Sequence, residues 1–330
     1  SRLETYFACP YKYYFAYTLG LNEREEAVVD GRIFGILMHA VLEKFFKLVK
    51  RGAMTADKVR AEVERIFDAA LEDDKVATAA MDDPGAVRAF ERLRREAVTA
   101  CRKLFDAVQR SKYKPLYIEA YIGGKELPSL KLRVGEEVTE LRGRVDRVDA
   151  RGDKFFVVDY KTGKRAEPAF ADVYSGKKIQ LYLYMQTIAE DTGMTPVGVF
   201  YLPLSFDFET SAAELRYTGS LVNDEEEARA MDPLFGEDDE RCIIPSKRAR
   251  DGSLAPPVHV TPEQLRRIGK YVEALARDGA EEIEYGNIAP DALKGECVYC
   301  AYSGICAWQH GANGISTGSV GVDDFDPETT

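Results

Sequence analysis

At 330 residues the chain can bury a large core, as one big domain or two modest ones, and 45% apolar with 31% charged residues excludes a disordered polymer. No apolar run approaches the roughly 20 residues that span a bilayer, and no signal peptide precedes the first elements. The net charge of −11 argues mildly against a surface that binds nucleic acid everywhere, leaving room for a local basic cleft.

The chain opens at Ser1 without a methionine, which reads as the cut end of a larger polypeptide. Residues 1–20 are rich in Tyr and Phe around Cys9-Pro10. From Gly31 to about Lys50, Phe34, Leu37, Met38, Val41 and Phe45 recur at three- and four-residue spacing, predicting a helix. Helical periodicity continues over 56–110, broken by the turn at Asp82-Asp83-Pro84. From about 116 to 161 alternation and β-branched residues predict strands. A helix over 174–190 and a strand over Pro196–Leu202 follow. Residues 205–257, acidic and turn-rich with Glu237-Asp238-Asp239-Glu240 and Pro256-Pro257, read as a peripheral insertion with some strand. Thr261 caps a last amphipathic helix that starts at Pro262 and runs to about Gly279. The stretch 311–330 reads as a flexible tail.

The segment richest in chemistry runs from Leu141 to Gly163. Gly152-Asp153 is a two-residue hairpin loop between two strand-like arms. Counting back from that loop sets Arg151 against Lys154 and Asp146 opposite Asp159, with Arg144 beside Lys161 on the same face as the two acids. Opposed carboxylates repel at the ~4.5–5.5 Å between paired Cβ atoms, unless a divalent metal lies between them. Oxygen-only ligands suit Mg²⁺ or Mn²⁺. A lysine two residues from an acid would stabilise negative charge in a transition state or orient a water. The alternative is a hairpin with solvated charges on its outer face. The apolar run Phe156-Val157-Val158 speaks for a central strand instead, where acids at the end need a reason. Lys161, Lys164, Arg165, Lys177 and Lys178 are candidate cleft cations, and Arg92, Arg94 and Arg95 form a second cluster.

Six cysteines lie at positions 9, 101, 242, 297, 300 and 306. The wide intervals do not suit a secreted disulfide framework, so a cytoplasmic setting is expected. Cys297-x-x-Cys300-x₅-Cys306 has metal-site spacing, and Cys9 offers a fourth thiolate. Four cysteines hold either zinc or an iron–sulfur cluster, and spacing alone leaves both open.

Gly143-Arg-Val-Asp146 followed by Val158-Asp159-Tyr-Lys161-Thr-Gly163 resembles the nuclease motif of the RecB-like branch of the PD-(D/E)xK superfamily. Gly35-x-x-x-His39 upstream and Gln180-x-x-x-Tyr184 downstream are similar to two further motifs of that branch, in the same order. The cysteine pattern resembles the iron–sulfur members of the branch, which include AddB-type helicase–nuclease subunits. The resemblance runs from Leu3 to about Cys306 and takes in Gly286-Asn-Ile-Ala-Pro290. It implies an α/β fold, a restriction-endonuclease-like core with a central mixed sheet flanked by helices. It implies that His39, Asp146 and Asp159 bind Mg²⁺ or Mn²⁺ and that Lys161 is catalytic, with Gln180 and Tyr184 supporting the active site or the DNA. It implies a [4Fe–4S] cluster on Cys9, Cys297, Cys300 and Cys306 that staples the two ends together, leaving Cys101 and Cys242 as ordinary thiols.

One nuclease domain over 1–310 is therefore expected, its core about 30–205 and 258–290 and its cluster segments 1–20 and 291–310. The activity implied is metal-dependent exonuclease processing of double-strand break ends, with DNA and a helicase–nuclease partner subunit as partners and no membrane. The chain has no Gly-rich nucleotide-binding loop ending in Gly-Lys-Ser or Gly-Lys-Thr, so any helicase portion would precede Ser1. A catalytically silent DNA-binding scaffold and a stand-alone nuclease of the CRISPR-adaptation type stay open as alternatives.

Overall fold

A computed structural model describes residues 1–21, 30–161, 169–204, 215–238, 241–255, 258–306 and 318–329. Ser1 caps α1 (Arg2–Ala8), and Pro10 opens the short α2 (Pro10–Tyr13), which runs into a π-helical turn over Tyr14–Thr18. Asp30 caps α3 (Gly31–Lys50) by accepting the Arg32 and Ile33 N–H groups, and Leu37, Met38, Val41 and Phe45 of its predicted apolar stripe are buried, Phe34 partly so. The second helical region divides where its caps lie: α4 (Val59–Asp73), then α5 (Lys75–Ala79) behind Asp74, then α6 (Pro84–Arg110) behind Asp83 with Pro84 in its first turn.

Strand β1 (Lys114–Ile122) is followed by a separate hairpin of β2 (Leu130–Val134) and β3 (Glu137–Leu141). Next come β4 (Gly143–Arg151) and β5 (Lys154–Lys161), α7 (Phe170–Tyr174), α8 (Gln180–Thr192) and β6 (Thr195–Pro203). The chain then forms β7 (Thr218–Val222), α9 (Glu225–Met231), β8 (His259–Val260) and α10 (Pro262–Glu284). Six strands make one sheet in the order β1-β4-β5-β6-β7-β8. It is mixed: β5 runs parallel to β6, as a crossover through α8 requires, and β7 runs parallel to β8, while the other pairs are antiparallel. Helices α3, α4 and α6 pack together beside β1, and α8 and α10 pack against one another and β6. Among the described residues no helix is long and apolar enough to cross a membrane.

The predicted hairpin forms in the predicted register, with Arg151 against Lys154 and Arg147 against Val158. Gly152 takes a φ of +60° in the loop, a conformation open to glycine at little cost. Residues 155–160 are buried throughout, as expected of a central strand.

Three expectations need correction. The segment read as a peripheral insertion belongs to the body of the fold: β7 extends the sheet, and Phe235, Cys242, Ile243 and Ile244 are buried. Its acids face inward where they meet cations. Asp232, fully buried, takes both arms of the Arg110 guanidinium at 2.8 Å, and buried Glu227 accepts from the Tyr113 hydroxyl and pairs with Arg151 and Lys154. Second, residues 318–329 are no loose tail, because Val322 and Phe325 are buried and Phe325 packs edge-on against Phe170, Tyr174 and Tyr271. Third, α10 does not stop at Gly279. That glycine makes room for Phe7, whose ring would lie 2.5 Å from any Cβ placed there.

Candidate active site

The site gathers where β1, β4 and β5 meet α3. Pairing between β4 and β5 stops at Arg147–Val158, one step short of the two acids. In place of a further ladder bond, Asp146 Oδ2 accepts the Tyr160 N–H at 2.6 Å. The ladder ends before Arg144 and Lys161, the pair counted from the loop. The Arg144 guanidinium turns to Glu119 (2.7 Å) and Glu43 (3.0 Å). Asp159 Oδ2 sits 2.5 Å from Lys161 Nζ. His39, from α3, reaches over the end of β5, with Nε2 3.2 Å from the Tyr160 carbonyl oxygen and Nδ1 3.6 Å from Asp146 Oδ1.

Sequence reasoning alone misses Glu119. In the β1–β4 ladder it falls between the pairs Ile118–Arg147 and Ala120–Val145, directly across from Asp146. Its Oε1 lies 3.5 Å from His39 Nδ1, and the residue is buried. Among the described residues Glu119 is the one non-glycine with positive φ (+50°), backbone strain of the kind that concentrates at functional sites. His39, Glu119 and Asp146 offer ligand atoms all within 4.8 Å of one another. Asp159 stands outside that group, held by Lys161.

The crowding sets the electrostatics. Burial, then the neighbouring Asp159, pushes the Asp146 carboxyl up to about 7. Burial also raises Asp159, against the pull of Lys161 and His39. For His39, burial disfavours the charge, but Glu119, Asp146 and Asp159 outweigh it and raise the imidazole above its ordinary value. Lys161 is raised likewise, Asp159 overcoming the effect of burial. The cleft thus holds a negative charge excess that a proton or a hard cation would neutralise.

Gln180 and Tyr184 stand behind the acids. Gln180 Nε2 donates to the Tyr184 hydroxyl at 2.6 Å, and that oxygen accepts the Arg144 N–H at 3.2 Å, fixing the start of β4. Glu4 of α1 accepts the Ile179 and Gln180 N–H groups, so the N-terminal helix caps the helix carrying both residues. Of the expected cleft cations, Lys164 and Arg165 lie outside the described residues, as do Thr162 and Gly163. Lys177 pairs with Glu296, and Arg94 of the second cluster pairs with Asp68, so both are partly neutralised.

Cys9, Cys297, Cys300 and Cys306 line one small cavity with Phe15 and Tyr302. Backbone pairing of Leu293 with Ala8 and the bond from the Tyr302 hydroxyl to the Leu21 carbonyl bring the two ends together. No three of the four sulfurs converge to within 4.8 Å as the His39 group does. Cys101 and Cys242 are buried elsewhere.

This sheet and acid cluster define a nuclease class. Residues 1–307 match the model of the PD-(D/E)XK nuclease superfamily, and the chain belongs to that family. Its relatives include proteins named as the B subunit of an ATP-dependent helicase/deoxyribonuclease. That of Acetivibrio thermocellus is 32% identical over 93% of this chain and 29% of its own length. Those of Clostridium novyi and Symbiobacterium thermophilum are each 28% identical over 93% of this chain, and 30% and 29% of their own lengths. The chain spans about 30% of the length of these curated relatives.

Proposed function

We propose that the chain is the nuclease domain of a helicase–nuclease complex, acting as a divalent-metal-dependent deoxyribonuclease and exonuclease on DNA ends. The observation that carries this reading is the meeting of His39, Glu119, Asp146, Asp159 and Lys161 at one end of the sheet. The donor set of one imidazole and carboxylate oxygens, where burial and then the neighbouring Asp159 raise Asp146 to about 7, fits a hard divalent ion such as Mg²⁺ or Mn²⁺. His39, Glu119 and Asp146 would hold it, with Asp159 as a further ligand once Lys161 moves aside. A bound cation would supply Lewis-acid stabilisation of charge on a scissile phosphate. Lys161, kept protonated by Asp159, donates to the attacking water or to the oxyanion that develops. Gln180 and Tyr184 keep the start of β4 in place and need not touch DNA.

The four-cysteine cavity is where a structural [4Fe–4S] cluster would sit, three of its cysteines grouped near one end of the chain and the fourth near the other. An intact Asp146, Asp159 and Lys161 set speaks against the silent scaffold.

The test is cleavage of linear DNA by the 330-residue chain with Mg²⁺ or Mn²⁺. Asp159→Ala and Lys161→Ala are expected to abolish it while the visible absorbance of the cluster persists. Parental cleavage by either variant would overturn the catalytic assignment.

A further inference from the structure

Arg147 is fully buried in the middle of β4, beneath the acids, where it can touch no substrate. A guanidinium cannot shed its charge inside a protein, and a buried ion pair often stabilises no more than apolar residues of the same volume. Its surroundings are built around it. The guanidinium lies 4.2 Å over the Phe46 ring, on the same helix as His39, and 3.0 Å from Asp149. It donates to the Tyr160 hydroxyl at 3.4 Å and hydrogen-bonds the Tyr217 hydroxyl. Tyr217 comes from the acidic, turn-rich segment before β7, and it stacks on Phe200 of β6.

What these contacts hold is Tyr160. Its N–H fixes Asp146 Oδ2 and its carbonyl touches His39 Nε2, so two candidate ligands from two elements hang on one residue. On the β4 side the strand ladder has already ended at Arg147–Val158, leaving the side chain of Tyr160 to set its place there.

We infer that Arg147 is a positioning residue for the metal-binding group, acting through Tyr160, and that Tyr217 makes the 215–222 segment part of the same support. The inference rests on the metal-dependent reading above. Partners that orient metal ligands without touching the ion are worth about 10–100-fold in affinity.

The experiment measures Mn²⁺ affinity by calorimetry and thermal unfolding by circular dichroism on the 330-residue chain. Variants are Arg147→Lys and Tyr217→Phe, with Asp146→Ala as the control. Tyr217→Phe removes one hydroxyl and keeps the stacked ring, so it tests the idea even where Arg147→Lys fails to fold. Expected is a roughly tenfold weaker Mn²⁺ affinity in Tyr217→Phe, and at least as large a loss in folded Arg147→Lys. A lower melting temperature with parental Mn²⁺ affinity in Tyr217→Phe, while Asp146→Ala binds weakly, overturns the positioning role and leaves the metal site standing. Parental affinity in Asp146→Ala removes the metal site itself, and the inference with it.

Discussion

Gly143 and Tyr184 compete for one space: a Cβ on Gly143 would lie 2.3 Å from the Tyr184 hydroxyl oxygen. The glycine of Gly143-Arg-Val-Asp146 and the tyrosine of Gln180-x-x-x-Tyr184 are thus two halves of one contact, which seats β4 on α8. Gly143→Ala must displace Tyr184, breaking its bonds to Arg144 N–H and Gln180. Cleavage is expected to drop at least about tenfold, since misplacement by an ångström is enough for that, with a stability loss of about 1–3 kcal/mol. Tyr184→Phe, which fits the space, should cost less than Gly143→Ala. The reverse order in a steady-state cleavage assay would sink this account.

The charge balance of the site predicts how stability depends on pH when no metal is bound. Burial and the neighbouring Asp159 push the Asp146 carboxyl up to about 7, above its ordinary value, so the folded state keeps a proton that the unfolded chain loses. Stability then falls as pH rises from about 4 to 7. His39, raised in the fold, acts in the same direction, because its contribution is lost as pH rises through its folded value. Urea midpoints of the metal-free protein should therefore decline between pH 5 and 8 more steeply than those of Asp146→Asn, and Mg²⁺ should restore stability at pH 8. Identical pH slopes in parent and variant would remove Asp146 as the source.

Much of this site is legible in the sequence because a two-residue loop fixes a register, and register fixes faces. The count from Gly152-Asp153 holds as far as Arg147–Val158, and it brings Asp146 and Asp159 to one end of the hairpin. It cannot reach Glu119. The signal is an acid inside a strand-like run, but β1 joins the sheet only after an intervening hairpin, with a register shift between Pro115 and Tyr117. One residue of shift turns a side chain to the opposite face, and nothing local announces it. The segment over 205–257 misleads for a related reason. Composition shows that Glu227 and Asp232 are acids, and it does not show that Arg110, Arg151 and Lys154 wait for them over 70 residues away.

That pairing carries its own prediction. Glu227 is buried, accepts from Tyr113, and faces two cations at the turn end of the β4–β5 hairpin. Removing Glu227 leaves the buried Tyr113 hydroxyl without its acceptor, while the partly exposed Arg151 and Lys154 can turn to water, so Glu227→Ala is expected to cost about 1–3 kcal/mol of stability. Glu227→Gln keeps the hydrogen bond and should cost less. Chemical unfolding decides it, and a change below about 1 kcal/mol for Glu227→Ala would mean that solvent already screens the cluster.

The cysteine cavity offers the sharpest separation of structure from catalysis. Cys9 and Cys297 are 288 positions apart, yet they face one cavity because Leu293 pairs with Ala8 and Tyr302 with Leu21. A cluster bridging those ends would tie α1 down, and with it Glu4, which caps the helix of Gln180 and Tyr184. Cys300→Ser is therefore expected to lose iron, lower the melting temperature and weaken cleavage together, while Asp159→Ala abolishes cleavage alone and stays brown. Iron analysis and a visible spectrum of each purified variant check this. Full iron content in Cys300→Ser would rule out the four-cysteine cluster, and zinc in place of iron would correct its identity while leaving the link between the chain ends intact.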